Sequence, residues 1–169
     1  MNMIVCVKQV IDPEAPPASF KIDPSTNKAV SPPGVSPVIS PFDENAVEAA
    51  LRIKDVQGGK ITALSLGVNL LRDVVKKPLS MGADELILLE DEAFADGDSW
   101  STAYALAMAI KKIGDYDLIF CGRQSADFGA GEVGSGIAAI LGLPVATVAR
   151  KIDITDGKAK IERVTADGF

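Results

Sequence analysis

The sequence predicts an α/β domain: a parallel sheet covered by helices on both faces. Three observations carry this. Short, nearly continuous apolar runs alternate with stretches of helical apolar spacing, as buried parallel strands joined by crossover helices require. The chain has 169 residues, 47% of them hydrophobic, enough for one domain with a sizeable core. A glycine-rich loop, residues 122–134, follows one apolar run and precedes a small-residue helix.

The elements follow in order. Met3 to Val7 is the first strand. Residues 12–41 hold eight prolines (Pro13, Pro16, Pro17, Pro24, Pro32, Pro33, Pro37 and Pro41), which excludes a long helix or a central strand. Within them Phe20 to Asp23 and Ala29-Val30, around Pro24 to Asn27, predict a small hairpin. A helix begins near Asp43, a residue type that caps well, carries Val47, Ala50, Leu51 and Ile53 inward, and ends at Gly58-Gly59. Ile61 to Leu66 is the second strand. The next helix spans about Asn69 to Met81, with Pro78 expected to kink or shorten it and Gly82 to follow its end.

Glu85 to Leu89 is the third strand. Glu90-Asp91-Glu92 through Asp96 and Asp98 form an acidic loop, read as solvated and as complementing the dipole of the helix Ser99 to Ile113. That helix presents Ala103, Leu106, Ala107, Ile110 and Ile113 as its apolar face. Asp117 to Cys121 is the fourth strand, and the fourth helix runs from about Gly131 to Leu141, ended by Gly142 and Pro144. Val145 to Ile154 and Lys158 to Val164 read as two further strands, after which Glu162, Arg163, Asp167 and Gly168 trail off.

The loop after the fourth strand is the candidate site. Strand, glycine loop and helix in that order let backbone N–H groups face an anion, with the helix N-terminus adding partial positive charge. Glycines there let the backbone approach the ligand closely. The loop matches neither the Walker pattern nor the spaced dinucleotide fingerprint. In a parallel sheet, ligands bind beyond the C-terminal strand ends where the winding reverses. If the first and fourth strands flank that point, Lys8-Gln9 and Gly122-Arg123-Gln124 face one crevice.

Composition narrows the chemistry. The net charge is −6 with no basic stripe, so nucleic acid is not an expected partner. There is no histidine, which removes Ser-His and Cys-His catalysis and the commonest metal ligand. Cys6 and Cys121 lie in strand-like runs and read as buried, reduced thiols rather than metal ligands. The N-terminus lacks the form of a signal peptide, and no apolar run approaches membrane-spanning length, so a cytoplasmic protein that is not integral to a membrane is expected.

Four blocks carry a resemblance. Cys6-Val7-Lys8-Gln9-Val10-Ile11-Asp12 resembles the N-terminal segment of electron-transfer flavoprotein beta subunits. Ser40-Pro41-Phe42-Asp43-Glu44-Asn45-Ala46-Val47-Glu48-Ala49-Ala50 is similar to a second segment of theirs. Met81-Gly82-Ala83-Asp84 and Gly122-Arg123-Gln124 match a third and a fourth, in family order and across nearly the whole chain.

The resemblance implies a three-layer α/β/α sandwich like those of the adenine-nucleotide hydrolase superfamily, with the hairpin as a small insertion. It implies a partner, an alpha subunit carrying the redox-active FAD, and through the complete complex the dehydrogenases that supply electrons. It implies AMP in the beta subunit, or a second FAD in the same pocket in electron-bifurcating relatives. Carried over by position, the nucleotide contacts are Cys6, Ser40, Pro41, Phe42, Asp43, Leu66 and the run Gln124, Ser125, Ala126, Asp127, Phe128, Gly129, Ala130, Gly131, Glu132, Val133, Gly134 and Ser135, much of it through backbone amides. Gly122 and Arg123 open this loop, and Lys8 takes a place at the edge of the site. No residue is assigned a catalytic role.

The departures are Ser40, where many members carry Asn, and Val133, which stands where AMP-type loops have Thr. The latter keeps FAD open as the occupant. Family members normally continue beyond the strand at Glu162-Arg163-Val164, so the sequence reads as one domain, 1–169, without the recognition loop and C-terminal arm that engage the alpha subunit. Two other readings stand beside this one: a stress-type ATP-binding protein on the same fold, and a structural domain with no ligand.

Overall fold

A computed structural model describes the chain apart from Ser31, inside the proline-rich segment, and Phe169. Four parallel strands form the main sheet: β1 (Asn2–Val7), β6 (Lys60–Gly67), β7 (Glu85–Glu90) and β8 (Leu118–Cys121), in the order β7-β6-β1-β8. The chain winds outward from β1 to β6 to β7, then returns to lay β8 on the other side of β1. The winding therefore reverses between β1 and β8, as the sequence reading supposed.

Residues alternate along β1 between the two faces of the sheet. Met3, Val5 and Val7 join one buried cluster with Val47, Ala50 and Ile53 of helix α1 (Pro41–Gln57). Ile4 and Cys6 join a second with Ala103, Leu106, Ala107 and Ile110 of α4 (Ser99–Ile113) and Ile137 of α5 (Val133–Leu141). Both faces are covered, which is why the strands read as almost uninterrupted apolar runs.

The proline-rich excursion has a positional role. Two-residue strands β2 (Gln9–Val10) and β5 (Val38–Ile39) pair antiparallel, and Ser40 N donates to Lys8 O at 2.9 Å. The excursion between them, which carries the hairpin of β3 (Lys21–Asp23) and β4 (Lys28–Val30), thus returns the chain to the end of β1. α1 must therefore start there.

The helix boundaries differ from expectation in three places. Helix α1 starts at Pro41 with Ser40 as its cap residue, two residues before Asp43. Proline at a first helical position loses no hydrogen bond and brings its own φ, and that signal outweighs the capping preference of Asp. The expected 69–81 helix is two short ones, α2 (Arg72–Val75) and α3 (Lys77–Met81), broken at Lys76, because Pro78 lacks the N–H a continuous helix needs and so falls in the first turn of a new one. The last helix starts at Val133 rather than Gly131, since Gly129 and Gly131 both hold positive φ.

Among the described residues, the last two strands, β9 (Ala149–Thr155) and β10 (Lys158–Arg163), pair only with each other, antiparallel, and do not join the parallel sheet. The first begins at Ala149, not Val145, and Arg163 ends the second, donating from Nε to Thr147 O at 2.7 Å. The acidic loop is more structured than its charge suggested. Glu90 accepts from Leu70 N at 2.7 Å and pairs with Arg72 at 2.6 Å, and Asp98 caps α4 by accepting from Ser101 N at 2.7 Å.

Gly136 lies inside α5, where glycine costs about 1 kcal/mol against alanine, so a packing reason is needed. A Cβ there would stand 2.8 Å from the Cβ of Ala103 on α4. Gly136→Val is expected to force α4 and α5 apart and to destabilise the chain by about 1–3 kcal/mol. Adding Ala103→Gly should return part of that loss in a double-mutant cycle followed by urea denaturation. Strict additivity of the two substitutions would contradict the contact.

Candidate nucleotide crevice

The crevice opens at the C-terminal ends of β1 and β8. Three segments meet there: Lys8 after β1, the first turn of α1, and the loop 122–132 between β8 and α5. Register places Cys6 opposite Cys121 on the two adjacent strands, just below the opening.

Asp43 sits at the junction. It is 7% exposed, and its carboxylate accepts from Lys8 N at 2.8 Å through Oδ2 and from Gly122 N at 3.1 Å through Oδ1. Its own N–H donates to Ser40 O at 2.8 Å. One side chain thus spans both strand ends. Burial pushes its carboxyl up to about 7, against the opposing pull of those two amides. Glycine at 122 is what allows the approach, since a Cβ there would lie 2.2 Å from Asp43 Oδ1.

Above this junction Lys8 turns outward. Its Nζ pairs with Asp127 Oδ2 at 2.6 Å and stands 5.1 Å from the ring centre of Phe128, which is 85% exposed. Burial alone would raise the Asp127 carboxyl, but hydrogen bonds from Lys8 and Ser125 outweigh it and hold Asp127 below the usual carboxylate range. The pair is half-exposed, so it ties the loop to β1 with a contribution of roughly 1 kcal/mol or less.

The loop's shape comes from its glycines. Gly129 and Gly131 have φ of 68° and 71°, and a Cβ on Gly131 would stand 3.0 Å from Arg123 O. Glu132 precedes α5 without capping it through its side chain. Gly134 lies at the second position of α5, where a Cβ would meet the Cβ of Cys121 at 3.2 Å. The immediate reason for glycine there is therefore contact between α5 and β8.

The predicted site residues are brought together unevenly. Lys8, Asp43, Gly122 and Asp127 are joined by hydrogen bonds at the opening, Phe42 lies beside Asp43 in the first turn of α1 with Pro41 exposed before it, and residues 123–135 run on from Gly122 as the loop and the start of α5. Ser40 is fully buried at the head of α1, and its Oγ has no hydrogen-bond partner. Cys6 is buried beneath the opening, and both cysteines are free thiols. A hydrogen bond with Cys121, reinforced by burial, raises the Cys6 thiol well above its ordinary range. Leu66 is half-buried at the far end of β6, on the face covered by α4. Gln9 does not line this crevice. Its side chain accepts from Leu71 N at 2.8 Å and donates to Asn69 O at 3.2 Å, bracing the loop after β6. The sequence reading missed that Asp43 faces inward. Pro41, which fixes the helix start and with it the turn on which Asp43 lies, is the signal that could have found it.

A family model described as the electron transfer flavoprotein domain matches residues 33–169. The chain belongs to the electron transfer flavoprotein domain family. It is 43% identical, over its whole length, to the electron transfer flavoprotein subunit beta of Thermoanaerobacterium thermosaccharolyticum, covering 63% of that protein. It is 41% identical to the caffeyl-CoA reductase-Etf complex subunit CarD of Acetobacterium woodii, with all of this chain and 63% of that one aligned. Against the protein FixA of Azorhizobium caulinodans the identity is 39%, with 99% of this chain and 60% of that one aligned. The chain therefore spans less than two thirds of the length of these curated relatives. The parallel sheet with helices on both faces is the α/β architecture expected of an electron transfer flavoprotein domain. Among the described residues, no helix is long and apolar enough to cross a membrane.

Proposed function

We propose that this chain is the nucleotide-binding domain of an electron-transfer flavoprotein beta subunit. It holds AMP, with FAD as the alternative occupant of the same crevice, and pairs with an alpha subunit that carries the redox FAD. Through that complex electrons pass from dehydrogenases to an acceptor, in the cytoplasm. The observation that carries the reading is the crevice at the β1/β8 reversal, built from the same segments in which the sequence resembles the family.

The residues fit an adenine nucleotide. Ser40 Oγ is a buried hydroxyl in need of a partner, and the first-turn amides of α5 are not capped by the Glu132 side chain. The loop glycines keep side chains away from the path a phosphate takes to those amides. Gln124 to Ser135 would hold the phosphate side through backbone N–H groups, and Lys8 would guard the edge. AMP supplies no redox chemistry; FAD, when bound, supplies one- and two-electron transfer. The chain's own part is to bind and orient. Asp127 and Glu132, the carboxylates of the loop, orient the ligand or are themselves solvated rather than act as acid or base. Nothing observed favours the ATP-using reading over this one.

The test is mass spectrometry of whatever the purified chain releases on denaturation, followed by calorimetry of the stripped chain with AMP and with FAD. AMP or FAD at near one equivalent, rebinding to the stripped chain, is the expected result. Gly134→Val should abolish that rebinding; because the added side chain also presses on Cys121, urea denaturation alongside the calorimetry separates lost binding from lost packing. A chain that releases no adenine nucleotide and binds neither compound would falsify the proposal. For the partner, the flavin of an alpha subunit mixed with the beta subunit that contains this chain should be reduced by a dehydrogenase, and no reduction in that mixture would count against the pairing.

A further inference from the structure

We propose that Asp43 is a positioning residue: by holding the Lys8 and Gly122 amides at once, its carboxylate sets the separation of the two strand ends between which the nucleotide lies. This rests on the nucleotide reading of the crevice given above. It departs from the expectation that Asp43 touches the ligand.

Its N–H is already given to Ser40 O, and each carboxylate oxygen is already engaged with a backbone amide. The group is 7% exposed and turned into the protein. What it joins is specific. Lys8 and Gly122 are the first residues beyond β1 and β8, and between those strands the winding reverses. The loop that follows Gly122, together with the first turn of α5, carries the glycines assigned to the phosphate side. A shift at Gly122 N therefore moves the start of that loop relative to β1. Close contact at Gly122 leaves no slack, since any side chain there would collide with Asp43 Oδ1 and with the backbone of Phe42 and Asp43.

Ionised, the carboxylate accepts from both amides. Protonated, it becomes a donor at one oxygen, and a backbone N–H pointing at that hydroxyl loses much of its bond. The charged or titratable groups facing Asp43 are Lys8, from the end of β1, and Asp127, from the loop. Cys6, on β1 beneath it, is raised in part by the Asp43 charge. Glu44, the neighbour on α1, is turned away to Lys77. Lys8 and Asp127 are paired to each other, and that pairing holds the Asp127 carboxyl below the usual carboxylate range, so the carboxyl that switches is Asp43.

The experiment follows two readouts on the 169-residue chain between pH 5.5 and 8.5. In the ligand-free chain, the ¹H–¹⁵N resonances of Lys8 and Gly122 should shift together with one midpoint near neutrality. By calorimetry, affinity for AMP or FAD should weaken as pH falls through that midpoint. Asp43→Asn should lower affinity by about tenfold or more, since it replaces a charge-assisted acceptor of two bonds by a neutral acceptor of one. It should also remove the pH dependence, which a merely structural lesion would not do. Amides that do not move together, or an affinity flat across this range in the unsubstituted chain, overturn the proposal. If neither compound binds at any pH, the nucleotide reading fails, and the amide titration alone then decides: a shared midpoint supports the bridging role and its absence overturns it. The titration of the unsubstituted chain keeps the test open if Asp43→Asn does not fold.

Discussion

Gly122→Ala is expected to be among the most damaging single-methyl additions to this chain. The added Cβ would sit 2.2 Å from Asp43 Oδ1, 2.9 Å from Phe42 C and 3.0 Å from Asp43 N. None of these atoms can yield cheaply. The oxygen is held by the Gly122 amide itself, and the first turn of α1 is fixed to β1 through Ser40 N and Lys8 O. Relief requires either breaking the Asp43 bridge or moving α1 off the strand ends. Overpacking of this kind costs about 1–3 kcal/mol, with more expected here because backbone is involved. For a chain of this length that is a fall in Tm of roughly 5–10 °C. Gly97→Ala is the control. Gly97 is exposed, and its Cβ would meet the side-chain hydroxyls of Ser101 at 3.1 Å and Thr102 at 3.7 Å and Phe94 O at 3.6 Å, so its effect should stay within about 0.5 kcal/mol, as surface substitutions do. Thermal denaturation of the two variants side by side decides the matter. Equal melting temperatures would mean the Asp43–Gly122 approach is not held in solution.

The second large effect is a stability that declines as pH rises. Burial lifts Asp43 from its ordinary value of 3.8 to about 7, so the folded chain holds a proton there that the unfolded chain has released. A carboxyl shifted upward contributes its full stabilisation below about pH 4 and loses it progressively up to about pH 7. The shift corresponds to on the order of 4 kcal/mol at most, at ~1.4 kcal/mol per pKa unit. The carboxyls shifted downward, Asp23, Asp84, Glu85, Asp98 and Asp127, act in the opposite sense. Their stabilisation is present above the ordinary carboxylate range and is lost only as pH falls below it. With no histidine in the chain, no other side chain ordinarily titrates between pH 5 and 8. Urea unfolding should therefore give a higher midpoint at pH 5.5 than at pH 8, and Asp43→Asn should flatten that difference. A midpoint that rises with pH across this window would be incompatible with a buried, ionising Asp43. The same ionisation that lowers stability completes the bridge across the crevice, a trade-off common where a site needs a charge held out of water.

Much of the architecture was legible in the residues. Strands are apolar runs because both sheet faces are covered, and helix α4 was readable over Ser99–Ile113 because its apolar face repeats cleanly before Gly114. The glycine loop stood out because positive φ at Gly129 and Gly131 requires that residue type. The pairing of β2 with β5 was not legible, since two-residue strands carry no periodicity. Nor was the isolation of the β9–β10 hairpin, because alternation predicts a strand but not its partner.

The sequence by itself determined the fold class, the place of the glycine loop and the absence of histidine chemistry. These follow from local pattern and composition. Only the tertiary structure decided the strand order that puts β1 beside β8, and with it the inward turn of Asp43. Residues 8, 43 and 122 are far apart in the chain, and nothing local to any of them encodes the other two. Their meeting depends on the return path through β5, the start of α1 at Pro41 and the close approach that glycine alone permits at 122. A carboxylate that reads as a helix cap in one dimension becomes, in three, the link between two strand ends.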